Sequence, residues 1–139
     1  MMTTLSCSRS FPCQQGTRCL FVPGDRHVIV GTKTGLLELY DIATTDSLDS
    51  QKAHDDSVTG LCLVPGQPTF VSGSSAKEVK VWDLEIVEDD NMKQLQMVHT
   101  RTLELDEAVT SVKISDNSKF LAVSLIDSTV RVFFLDTFK

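Results

Sequence analysis

A short alternating segment that ends in an aromatic residue occurs three times in this chain of 139 residues. The copies lie at residues 37–41, 79–83 and 130–134, and the middle copy ends in Trp82 and Asp83. Successive copies begin 42 and 51 residues apart. A period near 40 residues is typical of repeat architectures, in which each unit is one small motif that packs on the next. This period therefore constrains the fold more than any local motif does.

Each unit contains two further strands ahead of the aromatic segment. A first apolar strand is followed by Pro-Gly or Asp-Asn, pairs that tolerate or pre-set the backbone angles of a tight turn. The second strands are predicted at residues 27–31, 69–72 and 119–124. The longer second interval has a simple cause, because residues 85–96 carry four acids and are predicted to form an acidic loop. Loops lengthen at little entropic cost.

Composition limits the classes of partner. Apolar residues make up 41% of the chain, which is ordinary for a globular protein, and no run approaches the length that spans a bilayer. The net charge of −6 argues against a bulk electrostatic grip on nucleic acid or on an anionic membrane. No cluster of Lys or Arg longer than a pair compensates for it. We therefore expect no membrane partner and no bulk electrostatic binding of nucleic acid.

Residues 1–16 are rich in Ser and Thr and contain no acid. We predict a ragged end or the remnant of a preceding repeat, with an organelle transit peptide as the alternative. The four cysteines form no C-x-x-C pair, so neither a zinc site nor a disulfide is predicted.

A search for catalytic groups finds no motif. His27, His54 and His99 lack a Ser or Cys nucleophile in a recognisable context. The acidic run at residues 88–90 lacks the alternating ligands and the glycine of a calcium loop. The sequence therefore predicts no enzyme activity, no cofactor, no metal site and no small-molecule substrate.

The period, the short strands and the Trp-Asp ending resemble the WD repeat. The resemblance implies an all-β fold, a partial WD40 β-propeller of about three four-stranded antiparallel blades. The expected divisions are a ragged segment at 1–16, a first repeat at 17–57, a second repeat at 58–108 that contains the acidic loop 85–96, and a third repeat at 109–139 that lacks its last strand.

The WD-repeat family also implies a structural tetrad of His, Ser or Thr, Asp and Trp. By this resemblance the second repeat supplies His54, Ser72 and Trp82, but Ala76 stands at the Asp position. In the third repeat Asp127 fits the Asp position, while Leu105 stands where the His is expected. A buried His without its carboxylate must find another hydrogen-bond partner or lose stability. His54 is therefore interpreted as structural.

Four strings, at residues 21–26, 30–35, 100–107 and 121–127, resemble the WD-repeat subunits of the UTP-B subcomplex of the small-subunit processome. This resemblance covers about residue 21 to the end. It implies a non-catalytic scaffold for protein–protein assembly in ribosome biogenesis and pre-rRNA processing. The implied partners are other processome proteins, with pre-rRNA and snoRNA contacted only indirectly, and the implied location is the nucleolus within the nucleus.

Such subunits carry two propellers of about seven blades, so three units suggest that the chain is a piece of a longer protein. A ring of blades closes with about four blades at least. An alternative function is a WD-repeat adaptor or signalling scaffold outside the ribosome pathway.

Overall fold

The computed structural model describes residues 15–89 and 92–139, which form strands, turns and bends with no helix among them. None of these residues therefore belongs to a helix long and apolar enough to cross a membrane. The strands in this part of the chain are β1 (Gly16–Phe21), β2 (His27–Thr32), β3 (Leu36–Asp41), β4 (Ser47–Lys52), β5 (Val58–Leu63), β6 (Thr69–Ser74), β7 (Glu78–Asp89), β8 (Met92–Glu104), β9 (Val109–Ile114), β10 (Phe120–Leu125) and β11 (Val130–Phe134).

The strands form three antiparallel sheets, each built from consecutive strands joined by short turns. The first sheet contains β1 to β4, the second β5 to β8, and the third β9 to β11. These sheets confirm the all-β prediction, with four strands in two units and three in the last. The ragged segment predicted at 1–16 lies almost wholly outside the described residues, and its last residue begins β1.

The second sheet is apolar on both faces, and each face packs against a neighbouring sheet. On β6, Phe70 and Val71 are both fully buried but point to opposite sides, because successive side chains of a strand alternate. Phe70 joins a core shared with the first sheet, and Val71 joins a core shared with the third. The first core contains Val22, Ile29, Leu37, Leu39, Ala53, Val58, Phe70, Trp82, Leu84 and Met97. The second contains Val64, Val71, Val79, Val81, Val109, Val112, Ile114, Leu121, Val123 and Leu125.

The turns between second and third strands share a backbone conformation. Gly35, Lys77 and Ser128 occupy corresponding positions and all have positive φ, at 92°, 68° and 69°. Only the first must be glycine, since a Cβ at residue 35 would lie 2.1 Å from the carbonyl oxygen of His54. The loop that carries His54 is therefore pressed directly against the turn of the preceding sheet.

The described residues of the predicted acidic loop, 85–89 and 92–96, are strand instead. They extend β7 and β8 into a long antiparallel hairpin, paired continuously from Asp83↔Val98 to Asp89↔Met92. The acidic residues indicate a solvated segment, but they do not prevent pairing, and within the hairpin the β-forming Ile86 pairs with Leu95. Acidic side chains and strand pairing are compatible, because Glu85 and Glu88 are exposed to solvent while their backbone pairs with β8.

Candidate functional site

His54 lies in the loop between β4 and β5, and it is buried to 2% exposure. The backbone of this loop is tied to the first sheet, because the N–H groups of Ala53 and His54 both donate to the carbonyl of Gly35 at 3.0 Å. Asp55 and Asp56 follow and remain exposed. The imidazole is thus directed inward while its acidic neighbours stay in water.

Both ring nitrogens of His54 are engaged. Nε2 lies 2.8 Å from Oγ of Ser72 on β6, and Nδ1 lies 2.8 Å from Oε1 of Glu78 at the start of β7. Trp82, further along β7, donates its indole N–H to the same Oγ of Ser72 at 2.9 Å. Four side chains from one loop and two strands therefore form a single chain of hydrogen bonds.

The chemistry of the four groups determines which of them donates and which accepts in each hydrogen bond. An ionised carboxylate only accepts, so Nδ1 of His54 donates to Glu78. A neutral imidazole then accepts at Nε2, and the hydroxyl of Ser72 donates to it. The indole N–H of Trp82 only donates, and a lone pair of the Ser72 oxygen receives it. Every donor and acceptor is matched when His54 is neutral.

Burial favours that neutral state. Desolvation lowers the pKa of His54 below 6.5, and it outweighs the opposing attraction of the Glu78 carboxylate. Lys80 adds to the lowering, with its ammonium 3.8 Å from the same Glu78 oxygen. The Lys80 ammonium also donates to the carbonyl of Ala53, so it closes the network back onto the loop.

Glu78 is the residue that sequence reasoning missed. The family pattern places the carboxylate in the turn at Ala76, two residues earlier, where instead the backbone N–H donates to the Ser74 hydroxyl at 3.0 Å. A glutamate at the start of β7 reaches the imidazole from the strand rather than from the turn. The sequence did contain a signal for this contact, because Glu78 is one methylene longer than Asp and lies two residues after Ala76, where the family has its Asp.

Trp82 is 2% exposed and lies in the core shared with the first sheet. Its ring is parallel to that of Phe70, with centroids 6.1 Å apart, and it meets the exposed His99 at a tilt, with centroids 5.1 Å apart. The indole therefore has aromatic contacts on its rings and a hydrogen bond at its single N–H, which is how a buried Trp is normally satisfied.

Asp127 lies apart from these residues. It is exposed in the turn between β10 and β11, where its Oδ1 accepts from the N–H of Thr129 at 3.0 Å and from the hydroxyl of Thr129 at 2.5 Å. Leu105 is partly buried against the second core, at the loop position that corresponds to His54. The third sheet thus has the acid of the family pattern without a histidine for it to bind.

The arrangement of His54, Ser72, Glu78 and Trp82 holds a loop to a sheet. Ser72 has no exposed surface, so its hydroxyl is not presented to a substrate. Within residues 15–89 and 92–139, no three His, Cys, Asp or Glu side chains lie close enough to hold a metal ion. No buried side-chain nitrogen or oxygen in this part of the chain lacks a hydrogen-bond partner.

Comparison with known proteins identifies the family. A family model described as the WDR3 second beta-propeller domain matches residues 1–139, the whole chain. The chain belongs to this β-propeller family. WD repeat-containing protein 3 of Mus musculus is 50% identical over 139 residues, which is 99% of this chain and 15% of that protein. U3 small nucleolar RNA-associated protein 12 of Saccharomyces cerevisiae is 38% identical over 98% of this chain and 15% of that protein.

A solved structure agrees on the fold. The β-propeller domain of Myceliophteria thermophila Cps50 (Swd1) matches with a TM-score of 0.76, covering 94% of this chain and 38% of that one, at 15% sequence identity. The three sheets are therefore blades of an open, partial β-propeller. The chain spans about 15% of the length of the curated relatives named above.

Proposed function

We propose that this chain is part of a β-propeller that acts as a non-catalytic scaffold in the assembly of the small ribosomal subunit. The observation that carries the proposal is the 50% identity to WD repeat-containing protein 3 over 99% of the chain. The 38% identity to a U3 small nucleolar RNA-associated protein points to the same process. The partners are other processome proteins, the U3 RNA is reached through them, and the location is the nucleolus.

The network around His54 supports a structural rather than a catalytic role. Catalysis by an imidazole needs a ring nitrogen within reach of a substrate proton. In this protein Ser72 and Glu78 occupy both nitrogens, and the side chain of His54 is fully buried. We propose that His54, Ser72, Glu78 and Trp82 form the structural tetrad of the second blade, with the Glu in place of the family's Asp.

The test is recovery of U3 small nucleolar RNA with the tagged full-length protein from cells in which the endogenous copy has been depleted. The wild-type protein should recover this RNA together with a defined set of proteins, and cells should mature their small-subunit rRNA normally. Recovery of a ubiquitin ligase or a signalling complex in place of the RNA would instead support the adaptor alternative.

Paired variants separate folding from chemistry. Ser72→Ala removes the hydroxyl at the centre of the tetrad, and Ser75→Ala removes a hydroxyl in the turn after β6 that makes only a 3.5 Å contact. A scaffold should lose partner recovery with the first variant in proportion to its loss of folded protein, and should be unaffected by the second. Loss of rRNA maturation with unchanged stability and unchanged partner recovery would point to chemistry and contradict the proposal.

A further inference from the structure

The long hairpin leaves one edge of β7 open. Pairing between β6 and β7 runs from Ser74↔Glu78 to Thr69↔Asp83, and the N–H of Leu84 then donates to the carbonyl of Pro68 at 2.8 Å. Pro68 has no N–H to give in return, so it ends the ladder. Among the described residues, those of β7 beyond Leu84 pair on one side alone, with β8.

Strand geometry defines which backbone groups face that open edge. Alternate residues of a strand direct their N–H and C=O groups to the same side. The N–H of Leu84 points toward β6, so the backbone groups of Ile86 and Glu88 point the same way, into the space where β6 has ended. The edge therefore offers alternating donors and acceptors to an added strand.

An apolar groove lies beside this edge. It has a volume of about 480 Å³ and runs between the hairpin and the β1–β2 turn of the first blade. Its walls are mainly apolar and are formed by Val22, Pro23, Pro68, Leu84, Ile86 and Leu95. Ile86 is 70% exposed. The edge also carries the exposed Glu85 and Glu88, which limit indiscriminate pairing, but Ile86 leaves an apolar side chain open at the groove.

We propose that this edge binds an extended segment of a partner protein, which adds to β7 as a strand in line with β6. Main-chain hydrogen bonds to Ile86 and Glu88 would supply affinity, and the groove would receive alternate side chains. The inference rests on the proposed scaffold function, because it requires a protein partner.

The two faces of the hairpin specify the chemistry of that segment. Leu84 and Ile86 line the groove, where an added strand must present apolar side chains, and Glu88 lies on the same face beyond the groove. Glu85 and Val87 are exposed on the opposite face, and at Glu85 a cross-strand neighbour of opposite charge is favoured. Arg26 also lines the groove, and its guanidinium disfavours a basic residue on this side. The segment is therefore alternating, apolar toward the groove and Lys or Arg away from it.

The experiment uses the full-length protein and a synthetic peptide of alternating valine and lysine, blocked at both ends. The wild-type protein should bind this peptide saturably, and a peptide of alternating valine and glutamate should bind at least about tenfold more weakly. A peptide with N-methyl groups on the backbone amides that meet β7 keeps every side chain but should lose binding. Equal binding of the methylated peptide would overturn strand addition.

Ile86→Pro provides the matched test on the protein. It removes the N–H that faces the open edge and leaves the β8 side of the hairpin able to pair, while Ile86→Val keeps the N–H and an apolar side chain. The proline variant should weaken the valine–lysine peptide at least about tenfold, and the valine variant should change it less than about twofold. Amide exchange on β8 should be the same in both variants, which shows that the hairpin is intact.

Equal affinity of the two variants for the valine–lysine peptide would overturn the proposal. Self-association of the wild-type protein that Ile86→Pro abolishes would also overturn it, because a second copy would then occupy the edge. Failure of peptide binding with U3 RNA recovery intact would reject this inference and leave the proposed scaffold function in place.

Discussion

The two interfaces between neighbouring blades share one backbone plan. At each, a threonine on the first strand of one blade donates to the carbonyl that begins the next blade. Thr17 Oγ1 donates to Val58 at 2.5 Å, and Thr59 Oγ1 donates to Val109 at 2.5 Å. These bonds recur one repeat apart and hold neighbouring first strands side by side.

The loops that enter the blades follow the same plan. The N–H of His54 donates to the carbonyl of Gly35 at 3.0 Å, and the N–H of Leu105 donates to the carbonyl of Lys77 at 2.8 Å. His54 and Leu105 therefore occupy equivalent positions in the backbone of the two loops. Only their side chains distinguish the two loops.

The interfaces differ in what fills them. The first contains Phe70, Trp82 and Met97 and carries the polar network of His54 at its side. The buried residues of the second are all valine, leucine or isoleucine, with Phe133 and Phe138 packed at its margin. The same backbone repeat is therefore combined with a buried polar network at the first interface and with a wholly aliphatic buried core at the second.

The largest difference in stability between the two interfaces is expected when Trp82, the largest buried side chain of the first interface, is truncated. Trp82→Ala should lower the free energy of unfolding by about 3–5 kcal/mol, since it leaves a large cavity and strips Ser72 of a donor. Ile114→Val, in the second interface, should cost about 0.5–1.5 kcal/mol. Urea unfolding of the same soluble parent protein measures both. Equal costs would show that the two interfaces contribute alike.

A glycine test addresses the shared backbone plan. Gly35→Ala places a methyl group against the His54 carbonyl, so it should be destabilising by more than about 1 kcal/mol. The corresponding Lys77 already carries a side chain at positive φ, and Lys77→Gly should be neutral or stabilising by up to about 1 kcal/mol through relief of the backbone conformation. Thermal unfolding compares them, and a harmless Gly35→Ala would mean that the His54 loop can move away.

The polar network should make the first interface sensitive to pH. The pKa of His54 is lowered in the folded state by burial, so the unfolded chain binds the proton more readily. Stability conferred by the neutral imidazole is present above pH 6.5 and is lost as the pH falls below 6.5 toward the lowered pKa.

Amide exchange on β5 and β6, measured in steps below pH 6.5 and corrected for the intrinsic pH effect, is the readout. Protection there should fall more than on β9 and β10. His54→Gln should abolish the difference, whereas His99→Gln should retain it, because His99 is exposed. Uniform loss of protection in all strands would contradict the assignment.

The smallest effect is expected at an exposed ion pair. Arg131 on β11 contacts Asp106 at 2.9 Å, and its guanidinium lowers the pKa of that carboxyl by hydrogen bonding. The stabilisation from this ion pair is present above the ordinary pKa of Asp and is lost as the pH falls through the lowered pKa of Asp106. Because both groups are solvated, solvent and salt screen this stabilisation. Asp106→Asn should leave the unfolding midpoint unchanged within error, and a clear shift would reveal a coupled surface network.

The strand pattern was predictable because it depends on local alternation. Residues 79–82 alternate around a buried Trp82, and the structure confirms both the strand and the burial. The period near 40 residues led in the same way to an all-β repeat fold. The hairpin at 85–96 was missed, because acidic residues indicate exposure but do not reveal whether a neighbouring backbone is close enough to pair.

The sequence by itself determined the repeat, the turns and the set of side chains available to each interface, since these follow from residue order and alternation. Only the tertiary structure decided which acid meets His54. Glu78 and the vacant position at Ala76 are close in sequence, and the choice depends on how far a side chain reaches across a turn. The open edge of β7 is likewise a tertiary property, because it exists only where β7 continues past Pro68, the residue that precedes β6.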